Sequence, residues 1–290
     1  MAFLRKDLFN AVTLIIVTCL TFSLLIGIHQ SSFNHTTSFR IQNNLTQVRV
    51  ACFVLTTPKN FDSRTRAVNL TWGRRCDGLF FITEPSNDTQ GLPIAPIANI
   101  TPGYEHLTQK VVLALQYAYE YHFNNFDWFV KADDDTYIFM ENLKTFLSKQ
   151  NTSEPVSFGW ISKGYDYHQG GASYVLSREA LKRFNQGLQK PNATCHKYGG
   201  HEDIEIRACL RSEGVYMGNT RDEKNRERFH PLNFHSHFVG PIPDWYKHRA
   251  ALKPVTSHEC CGADIISFHY VPWYEQYVID SMWHRFGSAR

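Results

Sequence analysis

The sequence lacks most of the short signatures by which enzyme chemistry is recognised. It contains no Gly-x-Ser-x-Gly elbow, Walker loop, Gly-x-Gly-x-x-Gly fingerprint or His-Glu-x-x-His. These absences argue against a serine-hydrolase, P-loop, dinucleotide-binding or zincin mechanism. Cys-x-x-Cys is missing as well. No long basic run occurs and the formal net charge is only +3, which argues against nucleic acid as a partner. Neither an internal repeat nor a low-complexity block interrupts the chain. What is present is a globular composition, 43% hydrophobic and 14% aromatic over 290 residues, enough to build a sizeable core.

Arg5 and Lys6 precede an uncharged, mostly apolar run over residues 8–28. At about 20 residues it is long enough to cross a bilayer as a helix. A cleaved signal peptide is the competing reading, but the run is long for one and Ser31-Ser32-Phe33 is a weak cleavage site. Positive charge on the short side keeps residues 1–7 cytoplasmic and makes the rest lumenal, a type II topology. Acceptors of the form Asn-x-Ser/Thr at Asn34, Asn44, Asn69, Asn87, Asn99, Asn151 and Asn192 agree with a lumenal body. Six cysteines lie outside the apolar run. Sequence order suggests Cys52–Cys76, Cys195–Cys209 and Cys260–Cys261 as disulfides, one of several possible connectivities.

Residues 29–47 are polar and read as a stem, and a single folded body is expected over 48–290. A buried-strand pattern spans 48–56, a helix is expected over 64–72, and a short strand over 79–83. Leu107, Val111, Leu115, Ala118 and Tyr119 recur at helical spacing within 105–122. A strand then leads into the acidic triplet, a helix follows over 140–148, and another strand over 155–160. Ser177 is placed to cap a helix from Arg178 to about Phe184. Strands and helices alternating at this rhythm predict an α/β sandwich around a mainly parallel sheet.

Chemistry concentrates in few places. Trp128-Phe129-Val130-Lys131-Ala132 drives into Asp133-Asp134-Asp135, and the carboxyl end of a strand is where open α/β sheets bind ligands. Three adjacent carboxylates repel one another unless a cation joins them. Oxygen ligands of this kind suit Mg²⁺, Mn²⁺ or Ca²⁺, with a solvated acidic turn as the competing reading. Gly170-Gly171 allows close backbone approach to a ligand, or forms only a turn. Glu202-Asp203 opens a helical pattern, where acids also favour the helix dipole. The tail carries His230, His235, His237, His258 and His269, the last within an apolar strand-like run. Aromatic pairs at Trp245-Tyr246 and Trp273-Tyr274 could stack on sugar rings or simply pack a core.

Together the motifs Trp72-Gly73-x-x-Cys76, Trp128 to Tyr137, Gly170-Gly171-Ala172-x-Tyr174-Val175-Leu176-Ser177, Glu202-Asp203, Phe229-His230-Pro231 and Cys260-Cys261…Ser267-Phe268-His269-Tyr270 form an ordered series. The series resembles the animal core 1 β1,3-galactosyltransferases, Golgi enzymes related to Fringe, over about residues 48–280. The resemblance implies a GT-A (Rossmann-like) glycosyltransferase fold behind one transmembrane helix, UDP-galactose as donor, Mn²⁺ as cofactor, and α-linked GalNAc on Ser or Thr as acceptor. It implies that Asp133 and Asp135 form a DxD pair, that His269 completes the metal site, and that Tyr270 lies beside the nucleotide. Gly170, Gly171 and Asp134 fall in the donor site by the same likeness, with Glu84 and Lys110 as further donor-pocket candidates. Asp203 is the implied base, and Glu202 and Trp245 the implied acceptor contacts. The short stem leaves little chain for a dimerisation segment, so a homodimer is only a possibility. An inactive, chaperone-like relative would not need these acids, while a relative using another UDP-sugar would.

Overall fold

The computed structural model describes residues 48–164, 166–191 and 194–286. The expected tail, span and stem over 1–47 lie outside them. Among the described residues no helix is long and apolar enough to cross a membrane.

In chain order the strands are β1 (Val50–Leu55), β2 (Gly78–Ile82), β3 (Trp128–Asp133), β4 (Tyr137–Ile138), β5 (Val156–Gly159), β6 (Tyr174–Ser177), β7 (Tyr216–Met217), β8 (Phe229–His230) and β9 (Ser267–Phe268). Six of them form the main sheet in the order β2-β1-β3-β6-β5-β7. β1 pairs in parallel with β2 and β3, and β5 with β7, whereas β6 runs antiparallel to both β3 and β5. The sheet is therefore mainly parallel with one reversed strand at its centre, as the α/β reading expects.

β1 is buried along its whole length. Period-two geometry sends Val50, Cys52 and Val54 into one core and Ala51, Phe53 and Leu55 into the other. A strand covered on both faces needs no polar side, which is why its sequence is nearly continuously apolar. Helices Leu107–Tyr117, Arg178–Leu188 and Glu202–Ser212 close one face through Val111, Leu115, Leu181, Phe184, Ile206 and Leu210. Helix Met140–Leu147 and the turn bearing Trp72 close the other through Met140, Leu143, Leu147 and Trp72.

The helix expected over 105–122 is three joined pieces: a tight turn Tyr104–His106, helix Leu107–Tyr117, and a wide turn Ala118–His122. The one expected over 64–72 is regular only over Arg66–Leu70. The helix capped by Ser177 runs past Phe184 to Leu188, because both of those side chains are buried. A second sheet, β4-β9-β8, was not foreseen, although its middle strand β9 lies in the strand-like run read around His269. The two-residue strands β4 and β8 are too short to show any alternation in sequence. The three disulfides join Cys52 to Cys76, Cys195 to Cys209 and Cys260 to Cys261, the pairs that sequence order suggests.

Ser177 accepts from Ala180 N at 3.0 Å and donates to Glu154 O at 2.6 Å, fastening the helix to the loop before β5. Ser177→Ala is expected to lower stability by about 1–2 kcal/mol in urea denaturation, from the lost cap and the orphaned carbonyl. A pH effect follows from three buried imidazoles. Burial lowers His168 and His237 to about 4, and burial, with the neighbouring His237, holds His230 well below its ordinary value. The unfolded chain protonates these groups first, so the stability they permit is intact above about pH 6.5 and is lost as pH falls toward 4. His237→Phe is expected to flatten the fall in denaturation midpoint between those pH values.

Candidate active site

β3 ends where its neighbours in the sheet stop, and the three aspartates sit at that carboxyl edge. Asp133 N and Thr136 Oγ1 are 3.3 Å apart and Thr136 N donates to Asp133 O at 3.1 Å, so the acids fold into a tight turn. Adjacent side chains then diverge. Asp133 and Asp135 face a cavity of about 850 Å³, large enough for a nucleotide-sized ligand. Asp134 is buried, and one of its oxygens accepts from Thr56 Oγ1 and Asn60 Nδ2, both at 2.7 Å. Burial raises its pKa against those two hydrogen bonds. Asp134 still lines the cavity, while its Oδ2 anchors the turn onto the loop after β1.

His269 arrives from β9, more than a hundred residues later. Its backbone N donates to His230 O at 3.0 Å, and Val271 N donates to Asp135 O at 2.8 Å, which lays the tail across the acidic turn. His269 Nε2 stands 3.3 Å from Asp135 Oδ1 and 4.0 Å from Asp133 Oδ2. Ligand atoms of the three residues all lie within 4.8 Å of one another. Two carboxylates and an imidazole are a donor set that fits a divalent cation such as Mn²⁺. Burial pushes the Asp135 carboxyl up, but His269 and Arg64 outweigh it and hold it below the ordinary range. Gly171 explains the motif around it: a Cβ there would lie 2.0 Å from the His269 ring. Tyr270 stacks on His269 with centroids 3.7 Å apart, adopts φ 52°, and leaves half its surface at the cavity mouth.

The start of helix Glu202–Ser212 also lines the cavity. Asp203 Oδ2 accepts from Gly170 N at 3.2 Å and Oδ1 from Ile204 N at 3.0 Å. Glu202 turns inward instead. Its Oε1 accepts from Tyr174 OH at 2.7 Å and its Oε2 lies 3.4 Å from Lys131 Nζ. Burial raises the Glu202 pKa despite that ammonium. Adjacent acids thus take different roles, with Asp203 presented to the cavity and Glu202 tied into the wall.

Glu84 and Lys110 also line the cavity. They pair at 3.2 Å, while Glu84 accepts from Thr57 Oγ1 at 2.6 Å and Lys110 donates to Thr56 O at 2.7 Å. Trp245 is not among the cavity's lining residues. It is 37% exposed and stands edge-on to Tyr246, which itself stacks on Trp160. Sequence reasoning missed Lys131, Arg64 and Tyr104, which line the cavity with the acids. For Lys131 the signal was legible, a lone cation inside an otherwise apolar strand. A second group, His230, His237, Cys260 and Cys261, also lies close together, but its two sulfurs are joined to each other as cystine.

A family model described as Fringe-like matches residues 44–230. The chain is 34% identical to a Xenopus laevis glycoprotein-N-acetylgalactosamine 3-beta-galactosyltransferase 1 over 241 residues, 81% of this chain and 66% of that protein. It is 28% identical to human chondroitin sulfate synthase 3 over 56% of this chain and 20% of that one. It is 29% identical to mouse beta-1,3-glucosyltransferase over 41% of this chain and 27% of that one. The chain thus spans about two thirds of the frog protein and a smaller share of the others.

Gly171→Ala is expected to displace the His269 imidazole and, where Asp133, Asp135 and His269 hold a divalent cation, to weaken its binding about 10- to 100-fold, the usual cost of disturbing a ligand's support. Calorimetric titration of the purified protein with Mn²⁺ checks it, and unchanged affinity would remove His269 from the candidate ligands.

Proposed function

Because this chain belongs to the Fringe-like family, we propose that it is an inverting, Mn²⁺-dependent glycosyltransferase. In this reading it moves galactose from UDP-galactose to O3 of α-linked GalNAc on Ser or Thr of glycoproteins. One observation supports the proposal: a single cavity is lined both by Asp133, Asp135 and His269, whose ligand atoms lie within 4.8 Å of one another, and by the carboxylate of Asp203. A double-displacement mechanism would call for a second carboxylate facing the sugar as nucleophile. Here the neighbouring acid Glu202 is held by Tyr174 and Lys131.

Mn²⁺, when bound by Asp133, Asp135 and His269, would neutralise the charge that gathers on the departing diphosphate. The remaining steps fall to the chain's own groups. Asp203, fixed by the Gly170 and Ile204 amides, accepts the proton of the acceptor hydroxyl as that oxygen attacks the anomeric carbon from the opposite face. One displacement turns an α-linked donor into a β-linked product. Tyr270 at the mouth offers a ring to the nucleotide, and the glycines let the donor approach the backbone closely. Glu84 and Lys110 present to the donor an ion pair with no net charge.

Galactose and GalNAc are favoured by the frog relative, whose name specifies both. Transfer of another UDP-sugar is the second reading, favoured by the mouse relative named as a glucosyltransferase. An inactive, chaperone-like protein would have no use for Asp133, Asp135, Asp203 and His269 together, and all four stand in the cavity. We place the body in the Golgi lumen behind a type II anchor at residues 8–28, in keeping with its three disulfides and seven sequons.

A screen of UDP-sugars against one GalNAc-peptide with the purified lumenal body tests the reading, and galactose transfer requiring Mn²⁺ is expected. Asp203→Asn should bind UDP as wild type does while losing about 10²- to 10⁴-fold in kcat. Wild-type turnover in that variant would take the base role away from Asp203.

A further inference from the structure

We infer that Lys131 is a positioning residue that couples Asp133, a candidate cation ligand, to the acid pair Glu202-Asp203. The inference rests on the cavity being the donor and acceptor site proposed above. Lys131 sits in the middle of β3 between Val130 and Ala132, both turned into an apolar core, and is itself only 4% exposed. A buried ammonium is costly unless its protons are all used. Here Nζ lies 2.9 Å from Asp133 Oδ1 and 3.4 Å from Glu202 Oε2, and it donates to Gly170 O at 3.1 Å.

Those three partners belong to the two halves of the site. On the cation side, Lys131 takes one oxygen of Asp133, which leaves Oδ2 as the atom turned toward His269. Asp133 is thereby set to offer one defined oxygen to a metal. On the base side, Gly170 joins the two groups, since its carbonyl accepts from Lys131 while its N–H, in the preceding peptide, donates to Asp203 Oδ2. The fit is close. A Cβ on Gly170 would lie 2.6 Å from Glu202 Oε2 and 3.1 Å from Lys131 Nζ. One ammonium therefore sets which oxygen of Asp133 is left for a cation and anchors the glycine whose own N–H holds Asp203.

The alternative is that Lys131 serves only as counter-ion to the buried Glu202. A double-mutant cycle of Lys131→Met and Glu202→Gln separates the two roles. Each variant is read by melting temperature, by Mn²⁺ affinity from calorimetry, and by kcat and KM for the galactosyl transfer. Lys131→Met alone is expected to be unstable, because it leaves Glu202 buried without its cation. The double variant should regain much of that melting temperature. Relative to Glu202→Gln alone, it should still bind Mn²⁺ about tenfold more weakly and show a lower kcat, as loss of a support to a metal ligand would produce. Lys131→Arg, which keeps the charge, should recover part of both. If removing Lys131 changes neither Mn²⁺ affinity nor kcat in the Glu202→Gln background, the coupling role is overturned and the counter-ion role stands. If the wild type itself binds neither Mn²⁺ nor UDP, the donor reading falls and this inference falls with it.

Discussion

Among the carboxylates that line one cavity are Asp133, Asp134, Asp135, Glu202 and Asp203, and the structure depends on how the repulsion among these five is disposed of. Several devices answer it. Asp134 is given hydroxyl and amide donors and shares the exposed Arg64 guanidinium with Asp135, which also meets an imidazole, and Asp203 has two backbone amides. Asp133 and Glu202 share a single buried ammonium. The result is a basin that remains acidic where a cation and a hydroxyl proton would sit, and is compensated everywhere else.

The scaffold serves this arrangement directly. A central strand buried on both faces cannot shift register without moving its whole apolar set, so the turn at its end is held fixed. The reversed strand β6 brings Tyr174 opposite Lys131 in register, which carries the Glu202 contact to the sheet. The glycines before β6 exist for their neighbours' sake: at Gly170 and Gly171 the space a side chain would fill is already taken by Glu202 and His269.

Much of this was legible in the sequence, and the reason is locality. The buried strand pattern of β1, the helical spacing of Val111 and Leu115, the cap at Ser177 and the strand-to-acid junction at Asp133 all depend on residues within a few positions of one another. What was not legible depends on pairs far apart in the chain. Nothing near Asp134 in sequence reveals that Thr56 and Asn60 claim its carboxylate. Nothing near Trp245 reveals that its helix packs beside Trp160, away from the cavity lining. The two-residue strands of the second sheet owe their existence to tertiary packing and leave no periodic trace. Lys131 lies between these cases, since its oddity in an apolar strand was visible while its partners were not.

The second sheet has a consequence for how the protein is made. Asp133 and Asp135 leave the ribosome well before His269, which reaches them only when β9 pairs with β4 and β8. Until then the growing chain carries an acidic turn with neither its imidazole nor the tail that covers it. A domain that folds from its N-terminus during synthesis could form the main sheet early and still be unable to close its cation site. The meeting of His269 with Asp133 and Asp135 thus has to wait for the last strand of the chain to be made.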